Sequence, residues 1–530
     1  MKRRTVCTLL LAVSLGLTGC GSEESQTAPA AEAAYPLNAE VELSYYLAES
    51  IVPYAYNDLP LKKSLETATG VKINFIQPYG SPYSYLDLMI ASDELPDLME
   101  SDWNYYTRGA VGSLISDQVI LPLNQLIESD SPNLRAYLEE NPDIAVQLRT
   151  YDGSYYMYPF VREDEKMTSY MGTMVRKDLL DERGLPLPET VGEWETVLTA
   201  FSEAGLSVPM SYGFNNMERY YRIINPIIGA FGILSDFYVE DGKIQYGEYR
   251  PEFADYIRKV ADWYQRGLID PLFYDQDLDR RIQELVQSCQ IGAVTANAGG
   301  YFGRWIPYLA EHAPNVKFAP VKYAAPQRGQ QSVGGGKELR CYGLGTVIST
   351  QCKNPEIAAR FLDYGYSEEG HMFYNFGNLG DTYTMIDGYP TYTERVTDYR
   401  ASGASSLAAA LKQYTRGSAF GPFVQDMRYL EQYYQLPELK QALEVWNETD
   451  ARQHLVPLLA FTEEEGKRLN RIVQDVDAYL GEAIYDLIVS GVDAAALDDY
   501  YSTLKALGIE EAISIKQAAY DRYLERSMKK

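Results

Sequence analysis

Histidine, cysteine and positive charge are scarce in this 530-residue chain, and each shortage excludes something. The three histidines, His312, His371 and His454, are widely separated. No HExxH zinc motif exists, and a histidine-based catalytic centre would rest on one isolated ring. Of the five cysteines, Cys7 and Cys20 lie near the N-terminus. Cys289, Cys341 and Cys352 are an odd number with no CxxC pair, read as buried free thiols, a Cys341–Cys352 bridge being the lesser alternative. No apolar run reaches the ~18–20 residues of a spanning helix, which excludes a polytopic membrane protein. Lys and Arg number 47 against 74 Asp and Glu, a net charge of -27. That sign repels phosphate backbones, so no nucleic-acid partner is expected. Catalytic motifs are missing as well. There is no GxSxG elbow, and Gly334-Gly335-Gly336-Lys337-Glu338 is no P-loop, because Glu338 stands where Ser or Thr is required and Gln331 where the first Gly belongs. The run Glu463-Glu464-Glu465 is explained by the dipole at a helix N-terminus.

What the chain does have is ordinary globular composition, 46% hydrophobic and 23% charged, and enough length for two to four domains or lobes. It also has 46 tyrosines. Tyrosine offers a flat apolar face and a hydroxyl tip with few rotatable bonds, a combination suited to sugar rings as well as to core edges. Lys2, Arg3 and Arg4, the apolar stretch from Val6 to Leu17, and then Leu17-Thr18-Gly19-Cys20 have the layout of a secretory signal over 1–19. The ending resembles a bacterial lipobox, so Cys20 is the expected lipidation site, carrying diacylglycerol as a lipid anchor. Residues 20–36, rich in Ser, Glu, Ala and Gln, read as a flexible tether.

Along the mature chain, Val41 to Tyr45 reads as a strand, Leu61 to Thr69 as a helix stopped by Gly70, Val71 to Ile76 as a second strand, and Leu95 to Met99 leads into a third. That alternation predicts a parallel α/β sheet. Thr190 with Glu193, and Thr462 with Glu465, are capping boxes. Pro251 and Asn354-Pro355 open further helices, and Tyr500 to Arg526 is helical. Ile291 to Thr295, Val316 to Ala319 and Gly345 to Ser349 are β-like. Trp194 and Trp263 fall on core-facing helical positions. Gln327 to Gly336 reads as a mobile surface loop.

Five segments in order carry a resemblance. They are Arg176-Lys177-Asp178-Leu179-Leu180-Asp181-Glu182-Arg183-Gly184-Leu185-Pro186 through Glu193-Trp194; Trp263-Tyr264 with Gly267-Leu268-Ile269-Asp270-Pro271; Ala358-Ala359-Arg360-Phe361-Leu362-Asp363-Tyr364 with Ser367-Glu368-Glu369-Gly370; Asp387-Gly388-Tyr389-Pro390; and Ala518-Ala519-Tyr520-Asp521-Arg522-Tyr523. Behind a lipobox, this order resembles extracellular solute-binding protein family 1, the lipoprotein subunits of carbohydrate ABC importers, and more narrowly its large Gram-positive oligosaccharide branch. The resemblance implies an α/β, two-lobed periplasmic-binding-protein-like fold (type II), with parallel-type sheets flanked by helices and a helical C-terminal part. It implies ligand held between lobes that close by a hinge. The chain then crosses near Tyr155–Phe160, Lys322–Gln330 and Gly380–Tyr389. The N-terminal lobe is expected over 37–157 and 325–385, and the C-terminal lobe over 158–324 and 386–530. Some relatives carry a calcium loop after the helix matching Trp194–Phe201. Here Ser202-Glu203-Ala204-Gly205-Leu206-Ser207-Val208-Pro209 lacks alternating oxygen ligands, so no metal and no cofactor are expected.

Ligands in α/β sheets sit beyond the carboxyl ends of strands. On the first lobe that selects Tyr46, Tyr79, Trp103 and Asn104. On the second it selects Asn215, Asn216 and Arg219 after Val208 to Tyr212, and Asn297, Tyr301, Arg304 and Trp305 in the loop after Ile291 to Thr295. Glycines in that loop permit close approach, aromatics can stack on pyranose, and relatives commonly place an aromatic contact there. Asp381 and Tyr383 near the last crossing complete the set. The resemblance implies a non-catalytic binding lipoprotein that captures an oligosaccharide and delivers it to ABC transporter permease subunits, a monomer anchored on the extracellular face of a Gram-positive membrane. The alternatives are an anchored polysaccharide-processing enzyme, for which two carboxylates across a cleft would serve, and a surface sugar sensor for a histidine kinase. A peptide or another small solute is also open. Arg219, Arg222 and Arg304 favour an acidic sugar, while the net negative field opposes one, leaving a lean toward a neutral oligosaccharide.

Overall fold

The computed structural model describes residues 34–37, 39–49, 54–107, 111–211, 225–274, 277–400, 403–404, 406–417 and 421–528. Nine strands build its two larger sheets: β1 (Glu42–Leu47), β2 (Lys72–Ile76), β3 (Leu98–Asp102), β4 (Tyr158–Pro159), β5 (Met171–Arg176), β6 (Val208–Ser211), β7 (Ile291–Asn297), β8 (Phe318–Pro320) and β9 (Leu344–Ile348). The first sheet has the order β2-β1-β3-β9-β4, and the second has β8-β5-β7-β6. β1 is parallel to β2 and β3, as expected of strands joined by helical crossovers. β9 returns from the second sheet and enters between β3 and β4, antiparallel to both. In the second sheet β7 is parallel to β6 and antiparallel to β5.

Local signals place the helices. The helix Pro60–Thr69 starts on proline and stops at Gly70, whose φ of 73° is left-handed. Thr190 and Glu193 exchange capping-box bonds ahead of Val191–Glu203, which buries Trp194, Val197, Leu198 and Phe201. Thr462 and Glu465 do the same for Glu463–Ser490. The helical tail is two helices, Ala494–Leu507 and Ile509–Met528, because Gly508 takes a φ of 97° between them.

One core packs the first sheet with Leu43, Met99, Phe361 and Tyr364. A second joins Trp194 and Trp263 to the C-terminal helices through Leu469, Ile472 and Tyr500. A third packs Phe302, Trp305 and Trp446 behind β7, and a small fourth gathers Phe376, Tyr383, Tyr392 and Tyr429. Cys341 and Cys352 are buried free thiols of the first core.

Three stretches run side by side between the sheets. Val161–Arg162 pairs in parallel with Val424–Gln425, Arg162 N–H donates to Arg340 O at 3.0 Å, and Phe160 N–H donates to Leu344 O at 2.9 Å. Of the stretch expected to be a surface loop, Gln327 to Gln331 is exposed, but the glycine run that follows is not. Ser332, Gly334, Gly335 and Gly336 are buried. Thr449 Oγ1 donates to Ser332 O and Gly334 O, and a Cβ on Gly335 would meet Thr449 at 2.8 Å. The glycines serve close packing against a neighbouring strand of chain, a role that composition alone does not distinguish from mobility.

Candidate ligand-binding site

Two cavities are lined by the crossing stretches. The first, of about 300 Å³, takes Phe160, Arg162, Tyr342 and Gln425 from those stretches. Asn297, Gly299 and Gly300 enter from the loop after β7, and Tyr429, Tyr433 and Tyr434 from the helix Met427–Tyr433 and its end. Arg162 is the organising charge. Its guanidinium lies 4.8 Å from the ring centroid of Tyr342, 5.3 Å from Tyr170 and 6.0 Å from Phe160. It pairs with Glu338 at 3.0 Å, and Tyr170 Oη donates to the same carboxylate at 3.1 Å. Tyr429 and Tyr433 stack at 5.8 Å, and Tyr433 meets Tyr434 edge-on at 4.9 Å. Burial pushes the phenols of Tyr433 and Tyr434 up, so they stay neutral donors.

The loop after β7 is shaped by Asn297. Its Oδ1 accepts from the N–H groups of Gly300 at 2.6 Å and Tyr301 at 3.2 Å, closing the turn Ala298–Phe302. Gly299 lies against Tyr433, where a Cβ would sit 2.6 Å from the ring. Tyr301 Oη donates to Asp279 at 2.6 Å, and its ring lies 5.3 Å from Trp305. Arg304 is exposed, spans the Tyr301 ring at 5.4 Å and donates to Gly300 O. Trp305 is buried in the third core.

The second cavity, of about 310 Å³, joins Asn104 and Tyr105 beyond β3 to Phe237, Lys337, Glu338 and Phe461. Burial pushes the Lys337 ammonium down, and its Nζ donates to Asn447 Oδ1. Glu338 lines this cavity, and its partner Arg162 lines the first.

The structure therefore brings Asn297 to one cavity and Asn104 to the other, with Tyr301 and Arg304 on the same loop as Asn297. Tyr46 is buried, its hydroxyl donating to Pro82 O at 2.7 Å, and Trp103 is buried with Nε1 donating to Gly345 O at 3.0 Å. Tyr79 is 80% exposed on the loop after β2. Asp381 pairs with Arg395 at 3.2 Å, and Tyr383 packs on Phe376 at the edge of a separate cavity of about 640 Å³. Asn215, Asn216, Arg219 and Arg222 lie outside the described residues, as does Cys20. Sequence reasoning passed over Arg162, Tyr170, Tyr342, Tyr429, Tyr433 and Tyr434. The sequence signal for them is the tyrosine spacing at i, i+4 in Tyr429-Leu430-Glu431-Gln432-Tyr433-Tyr434. Among the described residues no group of three or more His, Cys, Asp or Glu side chains is placed to hold a metal ion. No described helix is long and apolar enough to cross a membrane.

A two-lobed α/β fold with aromatic cavities where its lobes join is the architecture of a protein that holds a solute between two halves. The chain belongs to the bacterial extracellular solute-binding protein family, which it matches over residues 49–372. It is 24% identical to the fructooligosaccharide ABC transporter substrate-binding protein FusA of Streptococcus pneumoniae, over 97% of each chain. In structure it is similar to the alginate-binding protein AlgQ2, with a TM-score of 0.73 at 21% identity, covering 92% of this chain and 99% of the other. It is also similar to FusA in complex with kestose, with a TM-score of 0.71 at 22% identity, covering 91% and 99%.

Proposed function

We propose that this protein is the capture component of an ABC importer for oligosaccharides. The observation that carries the reading is the tyrosine-lined cavity at the crossing, with Arg162, Tyr342 and Tyr433 presented from different parts of the fold. Aromatic faces suit the apolar faces of sugar rings, while Asn297, Gln425 and the phenols suit hydroxyls. Family membership supports a binding role, and likeness to FusA along the whole chain supports an oligosaccharide as cargo. Ligand touching both lobes favours the closed state by its differential affinity, which is the signal a permease reads. Asn104 and Asn297, which line the two cavities, and Tyr301 and Arg304 on the loop of Asn297 are proposed contacts. Anchoring through a diacylglyceryl Cys20 belongs to the same reading. Mass spectrometry of the N-terminal peptide from membranes tests it, and Cys20→Ala protein is expected in the medium.

A thermal-shift screen of residues 21–530 against oligomers of β-fructans, alginate and mannans tests the cargo. A ligand at 100 times its Kd adds about 2.7 kcal/mol. A shift with intact sugar recovered establishes capture. A consumed sugar, or no shift with any saccharide, overturns the reading.

A further inference from the structure

The ion pair of Arg162 with Glu338 sets the charge of the first cavity. Among the described residues lining that cavity, Arg162 alone bears a charge, and the rest are aromatic, amide, glycine or aliphatic. A lone guanidinium in such a wall would draw a carboxylate on a ligand, because its paired N–H groups match both oxygens. Here that place is taken. Glu338 Oε2 lies 3.0 Å from Arg162 Nη1, and the two side chains are only 10% and 8% exposed, so salt and water screen the pair little. Glu338 is also held in position. Its backbone N–H donates to Thr168 O at 3.2 Å, its neighbour Lys337 bridges to Ser169, and Tyr170 Oη donates to its other carboxylate oxygen at 3.1 Å. Glu338 lines the second cavity and not the first, so it neutralises Arg162 without taking up ligand space. Arg304, on the loop after β7, does not line the first cavity and is exposed, where water weakens its field.

The wall of the first cavity therefore offers rings, phenols and amides, and no cation left to meet an acid. A carboxylate buried there would lose its water and find no partner charge. We infer that Glu338 is a specificity-determining residue: by cancelling Arg162 it restricts the first cavity to uncharged saccharides and excludes their uronic counterparts. The inference rests on the saccharide reading above and names the chemical class of its cargo. It places the cause in one buried ion pair and not in the net charge of the chain. Replacing a single carboxylate then reverses the preference, although it changes the net charge of -27 by one.

The test uses the mature chain, titrated calorimetrically with matched pairs of ligands. Each pair is a neutral oligomer of β-fructan or mannan and the same oligomer after oxidation of its primary hydroxyls to carboxylates. Wild type is expected to bind the neutral member at least about tenfold more tightly. Glu338→Gln keeps an acceptor for Tyr170 but removes the negative charge. It is expected to reverse the order, with the oxidised member gaining at least about tenfold over its affinity for wild type. A merely structural role would weaken both members alike. Unpairing a buried guanidinium is destabilising, so Arg162→Gln together with Glu338→Gln is measured alongside. This double variant leaves no unpaired charge, is expected to keep the wild-type order, and decides the question if the single variant does not fold. A wild type that binds the oxidised member as tightly as the neutral one or more so, a folded Glu338→Gln chain that keeps the wild-type order, or a double variant that departs from it overturns the inference and leaves the capture reading standing. Absence of binding to every member overturns both.

Discussion

At the residue scale, the first cavity depends on a position with no side chain. Gly299→Ala puts a methyl 2.6 Å from the Tyr433 ring, while Gly303→Ala meets nothing nearer than 3.4 Å. Overpacking of this kind costs about 1–3 kcal/mol and displaces the ring. Calorimetry with a saccharide hit is expected to show at least a tenfold loss for Gly299→Ala and little change for Gly303→Ala. Asp426 acts on stability instead. It is buried beside the crossing, 2.9 Å from His371 Nε2, and accepts from the N–H of Arg428 at 2.7 Å and its Nε at 2.9 Å. Burial opposes its charge, but the bonds from His371 and Arg428 prevail and hold the carboxyl well below the usual range. Its folded pKa is thus under the unfolded value of about 3.9, so its stabilisation is complete above that pH and disappears as pH falls. Urea melts of Asp426→Asn are expected to show about 3 kcal/mol less stability at pH 7, with the gap to wild type narrowing in acid. Neither role was legible beforehand. A glycine-rich loop suggests close approach to a ligand, whereas Gly299 makes room for the Tyr433 ring, and nothing in the letters around Asp426 announces a partner 55 residues away.

At the element scale, sequence and structure agree best where a signal is local. Capping boxes at Thr190 and Thr462, prolines opening helices, and Gly70 closing one all act within a turn. Thr462→Ala removes the acceptor for the Glu465 N–H and is expected to cost about 1 kcal/mol in a thermal or denaturant melt, with ligand affinity unchanged. Disagreement arises where a short segment is defined by distant neighbours. Val424–Gln425 is a two-residue strand, and its partner is Val161–Arg162, so periodicity has too few residues to register it. The buried glycines near Gly335 fail for the same reason: their meaning lies in Thr449. Part of the candidate site is hidden with these segments, because Arg162 and Gln425 lie in them.

At the scale of the whole molecule, two sheets joined by three adjacent stretches can bend about one line without breaking either core. Saturating sugar is therefore expected to lower the radius of gyration in small-angle scattering, and a sugar that binds without this change would indicate capture by one lobe only. The alternation of strand and helix announced the first three strands correctly. It could not announce that β9 runs against them, since direction follows from which sheet the chain returns from.

That returning strand also sets a timetable for synthesis. β3 and β4 have no common neighbour until residues 344–348 arrive to fill the gap between them. At translation rates of ~5–20 residues per second, the nascent chain waits roughly ten to forty seconds with a hydrophobic strand edge unsealed. An edge of that kind invites pairing with other chains. A chaperone that covers this edge during the wait is expected to reduce aggregation, and no improvement of the finished fold would shorten the interval.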